Sequence, residues 1–203
     1  MSREEQALKD RIRAIIRDRR SNLSAQVTDR CASVVSEYLE NYIRSELGID
    51  PGSLTVASYM PVSGELSTIP FCQKVIDSGG VLLMPKVTED DIVFYAVSDL
   101  TDDMEPGRFG IPEPRESCAK TDVRDADVII VPAIAYNDEG IRLGQGGGYY
   151  DRLWEYLGGD SPERKVVLIG VCYDFQIVSS IPVLAHDMAV DVIIEAESEE
   201  EGQ

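Results

Sequence analysis

The chain opens with Ser2 and Glu5 at the spacing of a capping box, followed by apolar Leu8, Ile12, Ile15 and Ile16 at helical intervals. This predicts a first helix with one apolar stripe and, beside it, a row of cations: Lys9, Arg13, Arg17 and Arg20. Spacings of four, four and three place those charges on a single face, where like charges oppose the helix unless an anion relieves them. A second amphipathic helix is predicted over 24–47, carried by Val27, Cys31, Val34, Val35, Tyr38, Tyr42 and Ile43 and stopped at Gly48. The period then changes. Residues 54–59 read as a buried strand running into a loop, after which Pro70 opens a helix to about residue 78. Apolar runs at 81–85, 92–97, 127–132 and 166–171 read as strands, a helix follows from Tyr149 to about Leu157, and an edge strand is expected over 190–194. Between them, 107–114 is too rich in Gly and Pro for regular structure and reads as an ordered loop. Strands alternating with helices predict a single α/β domain over 1–194, its largely parallel sheet covered on both faces in three layers. An acidic tail over 195–203 is expected to be disordered and solvated.

Composition narrows the partners. A chain of 203 residues with a net charge of −18 argues against a nucleic-acid surface and against binding anionic lipid. Yet seven of its 19 Lys and Arg residues fall within the first 20 positions, so positive charge is concentrated where an anionic small molecule would need it. The four cysteines, Cys31, Cys72, Cys118 and Cys172, lack any paired spacing and read as reduced, with Cys31 and Cys72 packed on the core, which favours a cytoplasmic location. Glu4, Glu5, Asp10 and Asp18 interrupt the basic N-terminus, unlike a transit peptide. No apolar run reaches membrane-spanning length, and a monomer is the favoured assembly.

The strongest chemical signal lies at 140–152, Gly-Ile-Arg-Leu-Gly-Gln-Gly-Gly-Gly-Tyr-Tyr-Asp-Arg. Four glycines in five positions leave backbone amides unshielded where a helix begins, which suits a phosphate chain. Neither standard nucleotide fingerprint is present: no Gly-Lys-Ser/Thr occurs, and Tyr149 stands where a dinucleotide site needs a small residue. The whole string instead resembles the signature of the 5-formyltetrahydrofolate cyclo-ligase family, also called methenyltetrahydrofolate synthetase, Gly-x-Arg-Leu-Gly-x-Gly-x-Gly-Tyr-Tyr-Asp. The segment 107–114, Gly-Arg-Phe-Gly-Ile-Pro-Glu-Pro, is similar to that family's Gly-x-Phe-Gly-Ile-x-Glu-Pro.

The resemblance implies an ATP- and magnesium-dependent closure of 5-formyltetrahydrofolate to 5,10-methenyltetrahydrofolate, with ADP and phosphate released through an N5-iminium phosphate. It implies that Lys9 and Arg13, matching a Lys-x-x-x-Arg pair on the first helix, reach the ATP phosphates together with Arg142, Leu143, Gly144, Gln145, Gly146, Gly147, Gly148, Tyr149 and Tyr150. Lys9 and Arg142 are the residues expected to take part in catalysis. Folate is expected on Glu65, which with Thr68 matches a Glu-x-x-Thr, on Ser58 at the strand end, and on Gln145, Gly146, Gly147, Gly148 and Tyr149. Magnesium is expected on Asp151 and Asp187. The lone histidine, His186, reads as structural, and Arg17 and Arg20 as a solvated basic face. Tyr136 and Asn137 depart from the family's frequent Phe-Asp, which leaves a role for that aspartate open.

Overall fold

The computed structural model describes residues 2–89, 91–183 and 187–199; His186 and residues 200–203 of the tail lie outside them. Helix α1 (Arg3–Ser21) begins as its sequence predicts, with the Ser2 hydroxyl accepting from the Glu5 N–H and the Glu5 carboxylate from the Ser2 N–H. Its orientation is a correction. Leu8 and Ile15 are 43% and 49% exposed, whereas Lys9, Ile16 and Arg20 are buried. The helix turns its cations inward because carboxylates and backbone carbonyls from other elements meet them there. The solvated face expected at Arg20 is therefore absent, and exposed Arg17 still donates to Gln145 Oε1 at 2.7 Å. Helix α2 (Ala25–Ser45), capped by Ser24, buries Val27, Cys31, Val35, Leu39 and Ile43 at intervals of four, while Tyr38 stays exposed.

In chain order the strands are β1 (Thr55–Ala57), β2 (Val81–Val87), β3 (Ile92–Val97), β4 (Met104–Pro106), β5 (Pro112–Pro114), β6 (Ala119–Thr121), β7 (Val128–Val131), β8 (Ala135–Tyr136), β9 (Arg142–Leu143), β10 (Val167–Tyr173) and β11 (Val192–Ala196). Seven of them form one sheet in the order β11-β10-β7-β1-β2-β3-β6. The five strands from β11 to β2 run parallel, and β3 and β6 add an antiparallel edge. Successive residues of β7 point to opposite faces. Val128 and Ile130 pack with α1, α2 and α3 (Ile69–Asp77), whereas Ile129 and Val131 pack with α4 (Tyr149–Tyr156). Two apolar cores thus flank the sheet, giving the expected three-layer α/β/α arrangement. Cys31, Cys72 and also Cys172 are buried and free.

Three boundaries differ from the sequence reading for identifiable reasons. The edge strand starts two residues late, because Ala189 bridges Ile141 and the Val190 N–H donates to the Gly140 carbonyl at 3.0 Å, holding that turn instead of the sheet. The expected domain limit at 194 falls inside β11, and beyond it Arg30 Nη2 donates to the carbonyls of Glu197 and Glu199 at 3.1 and 2.6 Å. Of the segment 107–114, expected to be irregular throughout, residues 112–114 form β5 and pair with β4, while 107–111 make the connection between them. The hydrogen bonds of this β4–β5 ribbon join Gly107 N–H to Ile111 C=O (2.9 Å) and Arg115 N–H to Asp103 C=O (2.8 Å), so Pro106, Pro112 and Pro114 occupy the alternate pairs where no donor is required.

Candidate active site

Loops leaving the carboxyl ends of β1 and β7 open onto one cleft of about 540 Å³, the position where parallel α/β sheets gather ligand sites. Helix α1 lays Lys9 and Arg13 along one wall, β9 delivers Arg142, and the glycine loop leads into α4 across from them. Gly146 and Gly148 hold left-handed φ of 105° and 69°, the second at the N-cap of α4, where no side chain caps the exposed amides of the first turn. The far wall is apolar, built from Met60, Val62, Pro85, Val87, Ile92, Ile111 and Pro112. One end therefore suits anions and the other a flat, weakly polar ring.

Polar contacts tie the two ends together. Lys9 Nζ stands 3.1 Å from Asp187 Oδ2, and Arg142 Nη2 3.6 Å from Asp151 Oδ1. Arg13 Nε donates to the Gly144 carbonyl at 3.0 Å, fixing the loop to α1. Arg142 Nη1 donates to the Pro132 carbonyl at 2.9 Å, its Cζ lies 4.9 Å from the centre of the Tyr150 ring, and its buried Nε has no partner among the described residues. Gln145 Nε2 donates to Glu65 Oε1 at 3.2 Å. Burial pushes the Glu65 carboxyl above the usual carboxylate range, and Arg20 is the main group drawing it back. Burial likewise pushes the Tyr150 hydroxyl up, opposed by Arg142.

Of the residues expected from sequence, Lys9, Arg13, Glu65, Arg142, Leu143, Gly144, Gln145, Gly146, Gly147, Gly148, Tyr149, Tyr150, Asp151 and Asp187 all line this cleft. Ser58 does not: it is buried, with its hydroxyl 2.9 Å from Thr68 Oγ1. Among the described residues there is no cluster of three or more His, Cys, Asp or Glu able to hold a metal. Asp151 and Asp187 nonetheless share the cleft, and magnesium needs only one or two carboxylates when phosphate and water supply the rest. Both residues of the Tyr136-Asn137 departure are hydrogen-bonded. Asn137 Oδ1 accepts from the Glu139 and Ile141 N–H groups at 3.2 and 2.8 Å, bonds that need only an acceptor oxygen, and the Tyr136 hydroxyl donates to the Val131 carbonyl. The sequence reading did not place Tyr59 or Glu113 in the cleft they line, and it took Arg20, which is buried beside Glu65, for a solvated cation. The Gly-Ile-Pro-Glu-Pro motif carried the one available signal, since it brings Glu113 to the cleft nearly buried and accepting from the Val87 N–H at 3.3 Å.

Known proteins give this geometry a family. The model of the 5-formyltetrahydrofolate cyclo-ligase family matches residues 5–196. A probable 5-formyltetrahydrofolate cyclo-ligase of Caenorhabditis elegans is 27% identical, with 92% of each chain covered. The 5-formyltetrahydrofolate cyclo-ligase of Escherichia coli K12 is 29% identical over 69% of this chain and 76% of its own. Among solved structures, the 5,10-methenyltetrahydrofolate synthetase of Aquifex aeolicus superposes with a TM-score of 0.74 at 34% identity, covering 93% of this chain and 89% of its own. No helix of the described residues is long and apolar enough to cross a membrane. With nearly the whole chain matched and the signature residues gathered in one cleft, this protein is an enzyme and belongs to the 5-formyltetrahydrofolate cyclo-ligase family.

Proposed function

We propose that the cleft binds ATP at its cationic end and 5-formyltetrahydrofolate at its apolar end, and converts them to 5,10-methenyltetrahydrofolate, ADP and phosphate. The observation that carries this reading is the single cleft itself, in which Lys9, Arg13, Arg142 and the glycine loop face Glu65 and an apolar wall. A formamide carbon is a poor electrophile, and its oxygen leaves only if it is first activated. The formyl oxygen attacks the γ-phosphorus, ADP departs, and an N5-iminium phosphate forms. N10 then adds to the formyl carbon, phosphate carries the oxygen away, and the N10 proton is lost. No protein nucleophile is needed.

The protein's task is alignment and neutralisation of charge. Lys9, Arg13 and Arg142 hold phosphate oxygens, the amides of residues 144–148 cradle them, and Tyr149 and Tyr150 shape the junction with the pterin. Glu65 orients the folate. Magnesium fits the donor set: two carboxylates, Asp151 and Asp187, stand beside the cations that serve phosphate, and each is already paired with one of them. A metal held there would neutralise phosphate oxygens and free Lys9 and Arg142 to bind others.

The test is a division of labour. Glu65→Gln should chiefly damage use of 5-formyltetrahydrofolate, whereas Lys9→Ala and Arg142→Ala should chiefly damage use of ATP. Losing a charged hydrogen bond costs about 1.5–3 kcal/mol, roughly one to two orders of magnitude in the relevant kcat/KM. Equal losses for both substrates in all three variants would count against separate subsites.

A further inference from the structure

The loop that presents Glu65 is built directly against α1. Its N–H donates to the Val62 carbonyl at 2.9 Å, closing a tight turn in which Ser63 and Gly64 both take left-handed φ, 48° and 75°. A Cβ at Gly64 would stand 3.2 Å from Arg20 Cβ and 3.3 Å from the Arg20 carbonyl oxygen, so the turn rests on Arg20 itself. Arg20 is only 4% exposed although it carries a charge. Its Nη2 donates to the Ala133 carbonyl at 2.5 Å, at the exit of β7, and its Nη1 stands 3.8 Å from Glu65 Oε1. One planar fork thereby spans α1, the loop after β1 and the loop after β7.

Other groups face the same carboxylate. Glu65 Oε2 accepts from the Val62 N–H at 3.3 Å, and Gln145 reaches Oε1 from the glycine loop while itself accepting from Arg17. Arg142 from β9, Tyr59 after β1 and Tyr150 from α4 add longer-range electrostatics. Among the described residues Arg20 is the one cation at ion-pair distance from Glu65.

We propose that Arg20 is a positioning residue that keeps the Glu65 carboxylate ionised and aimed into the cleft, with Gln145 tying that carboxylate to the phosphate loop. Burial alone drives Glu65 toward its neutral form, and Arg20 is the largest opposing influence. Without it, Glu65 protonates at higher pH and its acceptor oxygens lose their fixed direction. The kinetic consequence rests on the folate role of Glu65; the ionisation of Glu65 does not.

The experiment therefore reads both. Arg20→Gln removes the charge while keeping a donor for the Ala133 carbonyl, and Arg20→Lys restores the charge. Carboxyl NMR of glutamate-labelled protein, with the Glu65 signal assigned through Glu65→Gln, should show its midpoint rising by about one pH unit or more in Arg20→Gln and by less in Arg20→Lys. At neutral pH the KM for 5-formyltetrahydrofolate should rise roughly tenfold in Arg20→Gln, with the KM for ATP little changed and the acid limb of kcat/KM moved to higher pH. The double variant Arg20→Gln/Glu65→Gln should be no worse than Glu65→Gln alone. An unmoved Glu65 midpoint in folded Arg20→Gln, or losses that multiply in the double variant, would overturn the inference. If the wild-type protein formed no methenyl product, the folate reading would fail while the Glu65 titration still decided the role of Arg20.

Discussion

A single methyl group at Gly144 should disable the nucleotide end of the cleft while leaving the fold in place. A Cβ there would stand 2.4 Å from Arg142 Nη2 and 3.1 Å from its Cζ, closer than nonbonded atoms tolerate, so the guanidinium must swing aside. That motion breaks a defined arrangement: the 2.9 Å bond to the Pro132 carbonyl, the 3.6 Å approach to Asp151 and the stack on Tyr150. The fold loses little, because the clashing atoms end a long side chain and the main chain stays clear. The proposed ATP contact loses one charged hydrogen bond, about 1.5–3 kcal/mol. At 1.4 kcal/mol per decade, Gly144→Ala should lower kcat/KM for ATP roughly 10- to 100-fold. The assay is initial-rate kinetics varying ATP at saturating folate, beside a thermal melt. Gly48→Ala is the control: its φ of 68° imposes backbone strain, but nothing lies within 4 Å of its would-be Cβ and it stands outside the cleft, so Arg142 is untouched. A folded Gly144→Ala with wild-type kcat/KM for ATP would refute the assignment of Arg142 to phosphate.

Gly147→Glu adds bulk 3.0 Å from the Tyr149 ring and a negative charge where phosphates are proposed to sit; calorimetry should find ATP binding abolished in a folded protein. Asp151→Asn and Asp187→Asn should each raise the magnesium concentration needed for activity, since a neutral oxygen replaces a charged ligand, and unchanged titrations would remove them from the metal site. In the core, Gly170 lies against Tyr136, with its would-be Cβ 2.7 Å from the ring; Gly170→Ala should cost about 1–3 kcal/mol in denaturant melts through overpacking. Burial pushes the Asp191 carboxyl up, but Arg164 (2.7 and 2.8 Å) and the Leu168 N–H outweigh it and hold it below the usual range. A depressed carboxyl contributes stability above its unfolded pKa of about 3.9 and loses it as pH falls through the folded value. Asp191→Asn should therefore lower Tm by about 2–4 °C at pH 7, with the gap closing in acid.

The helices were legible because a 3.6-residue period records which side chains share a face. It does not record which way that face turns. Lys9 and Arg13 were read as phosphate ligands only through the family motif, and Arg20 as a solvated cation; the inward orientation of all three depends on Asp187, Glu65 and the carbonyls of Ala133 and Gly144, all distant in sequence. The glycine loop was readable because the whole string 140–152 matches the family signature; four glycines in five positions alone are as compatible with a plain turn between a strand and a helix. The β4–β5 ribbon was not, because Pro disfavours strands except in pairs that require no donor, and that register exists only after folding. Ser58 was read as a ligand from its place at a strand end, but the neighbouring Thr68 hydroxyl occupies it.

The most direct measurement is the appearance of 5,10-methenyltetrahydrofolate, followed by its absorbance, on mixing purified protein with 5-formyltetrahydrofolate, ATP and magnesium. One ATP should be consumed per methenyl product formed, and 10-formyltetrahydrofolate, whose N5 carries no formyl group, should give no ATP-coupled turnover. Absence of methenyl product with both substrates and the metal present, or its formation at the same rate without ATP, would contradict the account.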